Sequence, residues 1–221
     1  MKNNPFLKGA LLTVLSLFGG VVLGYVLGNF VFNAVSGGQF ANPAPMHITL
    51  AAIPALGGFL AGGGVWGGVM GRMAGATETR RLVWAGVLGF GPITLVTALT
   101  LAAVEPPLVA RFGADAGIHR IFTLLFVPSA FLIAGVSAWA VGRGLRDNAL
   151  ARSLFWRVGL AGGLAFLAVN LLMQSLGWVV GAPGAAERAT MLTVMALGDV
   201  AAAVAGGGLM GKMLAGRKRP A

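Results

Sequence analysis

The chain has 221 residues, 57% of them hydrophobic and 10% charged, with a mean hydropathy of +0.85 and a formal net charge of +10. That balance lies outside the range of soluble globular domains, and the short polar connections leave no room for a separate catalytic or nucleotide-binding domain. Cysteine is absent, which removes disulfides, thiolate metal sites and cysteine nucleophiles.

Six apolar stretches lie near 9–34, 48–71, 82–104, 120–142, 158–181 and 190–211, each close to the roughly 20 residues a helix needs to cross a bilayer. The first follows Lys2 and Lys8 and carries Gly20, Gly24 and Gly28. It is too long for the apolar core of a signal peptide and reads as a retained helix. The second carries Gly63, Gly67 and Gly71 and closes on Arg72, with Gly64 and Gly68 on the adjacent face. The third starts behind Arg81, passes Pro92 and holds Thr94 and Thr97. Ala134, Ala138 and Gly142 end the fourth before Arg143, after Pro128 in its outer part. The fifth, behind Arg157, holds Asn170 and Gln174; the sixth holds Asp199, then Ala203, Gly207 and Gly211 before Lys212.

Small residues four apart line one helix face and let another backbone approach closely, the usual means of helix association in lipid. Gly20, Gly24, Gly28, Gly63, Gly67, Gly71, Gly207 and Gly211 are therefore the expected helix-packing residues. The three ladders recur about seventy residues apart, and GGVMGRM at 67–73 matches GGLMGKM at 207–213 at five of seven positions. Fixed spacing of this kind is a repeat signature. The expected fold is an all-α membrane protein with six transmembrane helices in three consecutive hairpins, 8–75, 81–147 and 156–216, within a single membrane domain, 1–221. A two-helix unit returns to its starting side, so the repeats share one orientation and imply an axis along the membrane normal.

With alternating spans, thirteen cations fall on one side and only Arg111, Arg120 and Arg188 on the other. The cation-rich side is expected to be cytoplasmic, which places both termini there, in a bacterial inner membrane. The implied partners are the anionic cytoplasmic leaflet and other membrane subunits. The cations mark topology, not nucleic acid.

Depth follows from helical rise. Asp199 lies thirteen residues before Lys212, and Asn170 thirteen residues after Arg157, which puts both about 20 Å from the cationic end. Gln174, Thr94 and Thr97 fall at comparable heights. Asp199 is the lone carboxylate inside a span, and such groups are functional candidates. These five residues form the candidate polar site, as a hydrogen-bonded clasp between Asp199 and Asn170 or Gln174, or as a substrate or ion pocket open to the outside. A proton relay is the third and least favoured reading, because a relay needs several titratable groups and the spans hold one. His47 and His119, at outer helix ends, lack the further ligands a metal or haem site requires, so no cofactor is expected. Trp66, Trp84, Trp139 and Trp156 are expected as interfacial anchors on one side and Trp178 on the other.

No GxSxG, HExxH or phosphate-loop pattern occurs, so catalysis is not expected. Two functions remain. One is a non-catalytic subunit that packs through its ladders within an energy-transducing or transport assembly. The other is a small-solute transport component with an outward-facing site around Asp199. In size, six spans and terminal orientation the chain is similar to the substrate-binding components of energy-coupling-factor transporters, a resemblance of topology that no motif carries.

Overall fold

The computed structural model describes residues 4–36, 46–75, 79–112, 116–176 and 185–216, and their regular structure is entirely α-helical. Six helices follow one another: α1 (Pro5–Ser36), α2 (Met46–Met73), α3 (Thr79–Phe112), α4 (Ala116–Gly144), α5 (Asn148–Ser175) and α6 (Ala185–Ala215). Among the described residues, Phe126–Gly144, Asn148–Ser175 and Thr193–Ala215 are long and apolar enough to cross a membrane, so the chain is a membrane protein by length and composition.

Local chemistry sets the helix ends. The Asn4 side chain accepts hydrogen bonds from the Phe6 and Leu7 amides at 3.0 and 3.4 Å. Pro5 follows at the first helical position, where its missing N–H costs nothing. Gly75, at φ 69°, closes the turn after α2. Arg146 does the same after α4 at φ 57°, with the Asp147 amide bonded back to the Gly142 carbonyl at 3.2 Å. This is a left-handed cap on a residue other than glycine. Asp147 then caps α5, its carboxylate accepting from the Leu150 amide at 2.9 Å.

Two boundaries differ from expectation. α5 starts ten residues earlier than the apolar stretch, at Asn148, because the Asp147 cap nucleates a helix that the charges of Arg152 and Arg157 do not oppose. α3 continues through Pro106 and Pro107 to Phe112, where a loop was expected. Helices in apolar surroundings tolerate such prolines because the freed carbonyls find other partners.

The helices form a closed ring in which each packs on its two sequence neighbours and α6 returns to α1. Within it α2, α4 and α6 also touch one another at the centre, whereas α1, α3 and α5 make no mutual contact among the described residues. The three ladders account for this. A Cβ at Gly63 would lie 2.5 Å from the Gly86 carbonyl oxygen of α3, one at Gly142 2.5 Å from the Ala151 Cα of α5, and one at Gly211 2.5 Å from the Pro5 carbonyl oxygen of α1. Each of α2, α4 and α6 thus buries its small-residue face against the helix that follows it, taken cyclically.

On the central line, Met70, Val141 and Met210 precede Gly71, Gly142 and Gly211. All three are fully buried, in one apolar cluster with Trp66, Ala138 and Leu154. They close the bundle at the end bearing Arg72, Arg143 and Lys212. Trp66 is a correction to the anchor reading: it is buried, and its indole N–H donates to the Thr13 hydroxyl at 3.1 Å. Trp84, Trp139 and Trp156 are exposed. Trp178 lies outside the described residues.

Candidate functional site

Beyond the Met70–Val141–Met210 closure, away from the cations, the helices border an open cavity of about 240 Å³, at which Asp199 is exposed. Its wall repeats the register of the three ladders. Trp66, Ser137 and Gly206, six residues before the closing cations, all line it; so do Phe59, Ala130 and Asp199, thirteen residues before them. α1 contributes Thr13, Leu17 and Phe18, α3 contributes Phe90 and Thr94, and α5 contributes Val158.

The wall is apolar and aromatic, with a few polar groups that mainly accept hydrogen bonds. The Thr94 hydroxyl donates to the Phe90 carbonyl at 2.7 Å and the Ser137 hydroxyl to the Ile133 carbonyl at 2.5 Å. Both therefore direct their protons into their own helices. Thr13 accepts the Trp66 indole proton. Asp199 makes no hydrogen bond or ion pair with a described residue. Phe59 and Phe90 meet edge to face at 6.3 Å between centroids.

Of the five expected site residues, the cavity brings together Asp199 and Thr94. Thr97 is buried, its hydroxyl bonded to the Ile93 and Thr94 carbonyls at 2.8 and 2.9 Å. Asn170 is buried too, but its amide donates to the Phe166 carbonyl at 3.0 Å and its Oδ1 has no hydrogen-bond partner. The Asp199–Asn170 clasp is therefore not formed. The Phe166 ring packs against Gly198 and fills the seam between their helices. With Val158 opposite Gly206 and Gly162 opposite Ala202, Asn170 lies about 7 Å further from the cationic end than Asp199, so the common height expected for the two is not realised. Gln174 is half-buried and outside the cavity lining. The side chains of His47, His119 and Arg188 lie outside the described residues, as do those of Gly24 and Gly28 as packing positions.

Thr13, Trp66, Ser137, Phe59 and Phe90 belong to the site and escaped the sequence reading. A signal for three of them was present: Phe59, Trp66 and Ser137 stand at the same distances from their closing cations as Asp199 or Gly206 from Lys212. Comparison with protein-family models, curated proteins and solved structures finds no match to the chain.

Proposed function

We propose that the chain is a non-catalytic, small-solute transport component of a bacterial inner membrane. Its six helices cross the bilayer, and its three hairpins repeat around an axis along the membrane normal. The end with Arg72, Arg143 and Lys212 faces the cytoplasm, so the cavity faces outward. The cyclic packing of the ladders and the shared register of the wall support the repeat; the thirteen-to-three distribution of cations supports the orientation.

The cavity with Asp199 in its wall carries the functional reading. One carboxylate, hydroxyl groups already committed as donors, and the faces of Phe59, Phe90 and Trp66 complement a small molecule with a cationic or hydrogen-bond-donating group on an apolar body. Aromatic faces and a carboxylate together recognise organic cations. A cavity this small fits a ligand below drug size.

The alternative, a subunit that docks partners through its glycine ladders, has less to rest on. The ladder glycines Gly63, Gly67, Gly71, Gly207 and Gly211, with Gly20, all face helices of the same chain. What α1, α3 and α5 expose instead is large and aliphatic: Leu11, Leu15, Val22, Leu88, Leu160 and Leu164. Such faces suit acyl chains.

The test is thermal unfolding of the detergent-solubilised protein against a panel of small amines, quaternary ammonium ions, carboxylates and sugars. An amine or ammonium ligand at a hundred times its Kd should stabilise by about 2.7 kcal/mol. Asp199→Asn should remove that shift and leave the ligand-free midpoint unchanged. Stoichiometric membrane partners, with no stabilising solute, would turn the reading toward the subunit.

A further inference from the structure

The cationic end carries a second concavity, unrelated to the central cavity. It is a groove of about 450 Å³ on the outer flank of the α4–α5 seam, lined by Val136, Trp139, Arg143, Asn148, Arg152 and Phe155. At the two other seams of this kind the matching position is covered by a side chain of the neighbouring helix. Trp139 stands four residues before its closing cation, as do Gly68 in α2 and Gly208 in α6. Val83 and Thr79 cover Gly68 at 3.1 and 3.9 Å from a Cβ position, and the Phe6 ring covers Gly208 at 2.5 Å. At the third seam the small residue is replaced by a tryptophan that remains 44% exposed, and the covering positions belong to Asn148 and Arg152.

The groove is built for an anion at one end. Arg143 is positioned from two sides: its guanidinium lies 5.9 Å from the Trp139 ring centroid and donates to the Asn148 amide oxygen. Arg152, exposed, makes no hydrogen bond or ion pair with a described residue. No acidic side chain lines the groove; the nearby Asp147 carboxylate caps α5. From Arg143 the wall runs through Trp139 to Val136, about 10 Å along the helix toward the apolar middle of the bundle, with Phe155 opposite. A free anion would use only the two guanidinium groups. A molecule with a charged head and an apolar tail would use the whole surface.

We propose that this groove binds an anionic phospholipid of the adjacent leaflet, with the headgroup phosphate between Arg143 and Arg152 and the first acyl methylenes on Trp139, Phe155 and Val136. Basic pockets between helices at the cytoplasmic surface are suited to such headgroups, and arginine holds a phosphate through two parallel bonds. The site does not depend on the solute reading of the central cavity.

The experiment titrates delipidated full-length protein in detergent with phosphatidylglycerol, with phosphatidylcholine of the same chains, and with inorganic phosphate, counting bound molecules by native mass spectrometry. One phosphatidylglycerol should bind tightly per chain. Phosphatidylcholine should not bind, and equimolar inorganic phosphate should not displace the lipid. Arg152→Gln should weaken the lipid about fivefold, and Arg143→Gln with Arg152→Gln substantially more. Arg72→Gln, at the filled α2–α3 seam, should leave it unchanged. The proposal falls if Arg152→Gln binds phosphatidylglycerol like the wild type. It falls equally if Arg72→Gln costs as much, which is diffuse surface attraction, or if phosphate displaces the lipid, which is a free-anion site. Should the double variant fail to fold, Arg152→Gln decides, since that exposed side chain supports no contact in the fold.

Discussion

At the cation-bearing end the central helices meet through Met70, Val141 and Met210, all fully buried, whereas further along the same three helices border an open cavity. The ladders are similar in both regions, so small-residue packing does not decide which region closes. The side chains on the axis do. At 70/141/210 all three positions carry bulk; at 66/137/206 the cavity wall has a tryptophan, a serine and a glycine; at 59/130/199 it has a phenylalanine, an alanine and an aspartate. Three similar helices thus make a plug where each supplies a large apolar group, and a pocket where the matching positions differ in size and polarity.

The comparison breaks first at the ladder itself. A Cβ at Gly207 already collides with the Thr13 side chain, so Gly207→Leu should part α6 from α1 and cost about 3 kcal/mol. Gly19→Leu, with open space at that position, should leave stability within about 0.5 kcal/mol. Folded yield and the unfolding midpoint in detergent separate the two, and equal effects would refute the packing account.

Next in size is the plug. Met210→Ala should lower stability by about 2 kcal/mol through the void it leaves, without abolishing solute-dependent stabilisation, because the cavity wall lies elsewhere on the helix. A parallel loss of solute binding would show that plug and pocket are one unit. Smallest is Thr13→Val, which keeps the shape of the side chain but removes the acceptor of the Trp66 indole proton. Its expected cost is about 1 kcal/mol, read from the same unfolding curves, and no change would mean that the bond contributes nothing.

How far the residues announced this arrangement depends on what kind of information each position carries. The ladder period and its closing cations are one-dimensional signals, and Gly63, Gly142 and Gly211 each have a neighbouring backbone 2.5 Å from a Cβ position. Height is also one-dimensional, but counting it from Arg157 misplaces Asn170: α5 starts at Asn148, and Asn170 sits further from the cationic end than Asp199. Azimuth is not one-dimensional: which way each side chain turns depends on neighbouring helices, and Asn170 turns to Phe166 while Asp199 turns to the cavity. Trp66 misled for the same reason. Its position near a cation matched an interfacial anchor, but it lies on the face of α2 that meets α1. Helix α5 began early because a single side-chain cap outweighed the hydropathy of its first turn.

The seam between α1 and α6 joins parts of the chain separated by about 200 residues, and long loops are slow to close. Because α1 precedes α6 in the chain, the side of α1 that meets α6 can be covered only after the five helices α1–α5 have been made. Until then the positions that meet Gly207 and Gly211, Gly9 and Thr13, have no partner helix. A chain interrupted before α6 would therefore leave a small-residue face of α1 bare, open to a neighbouring apolar helix.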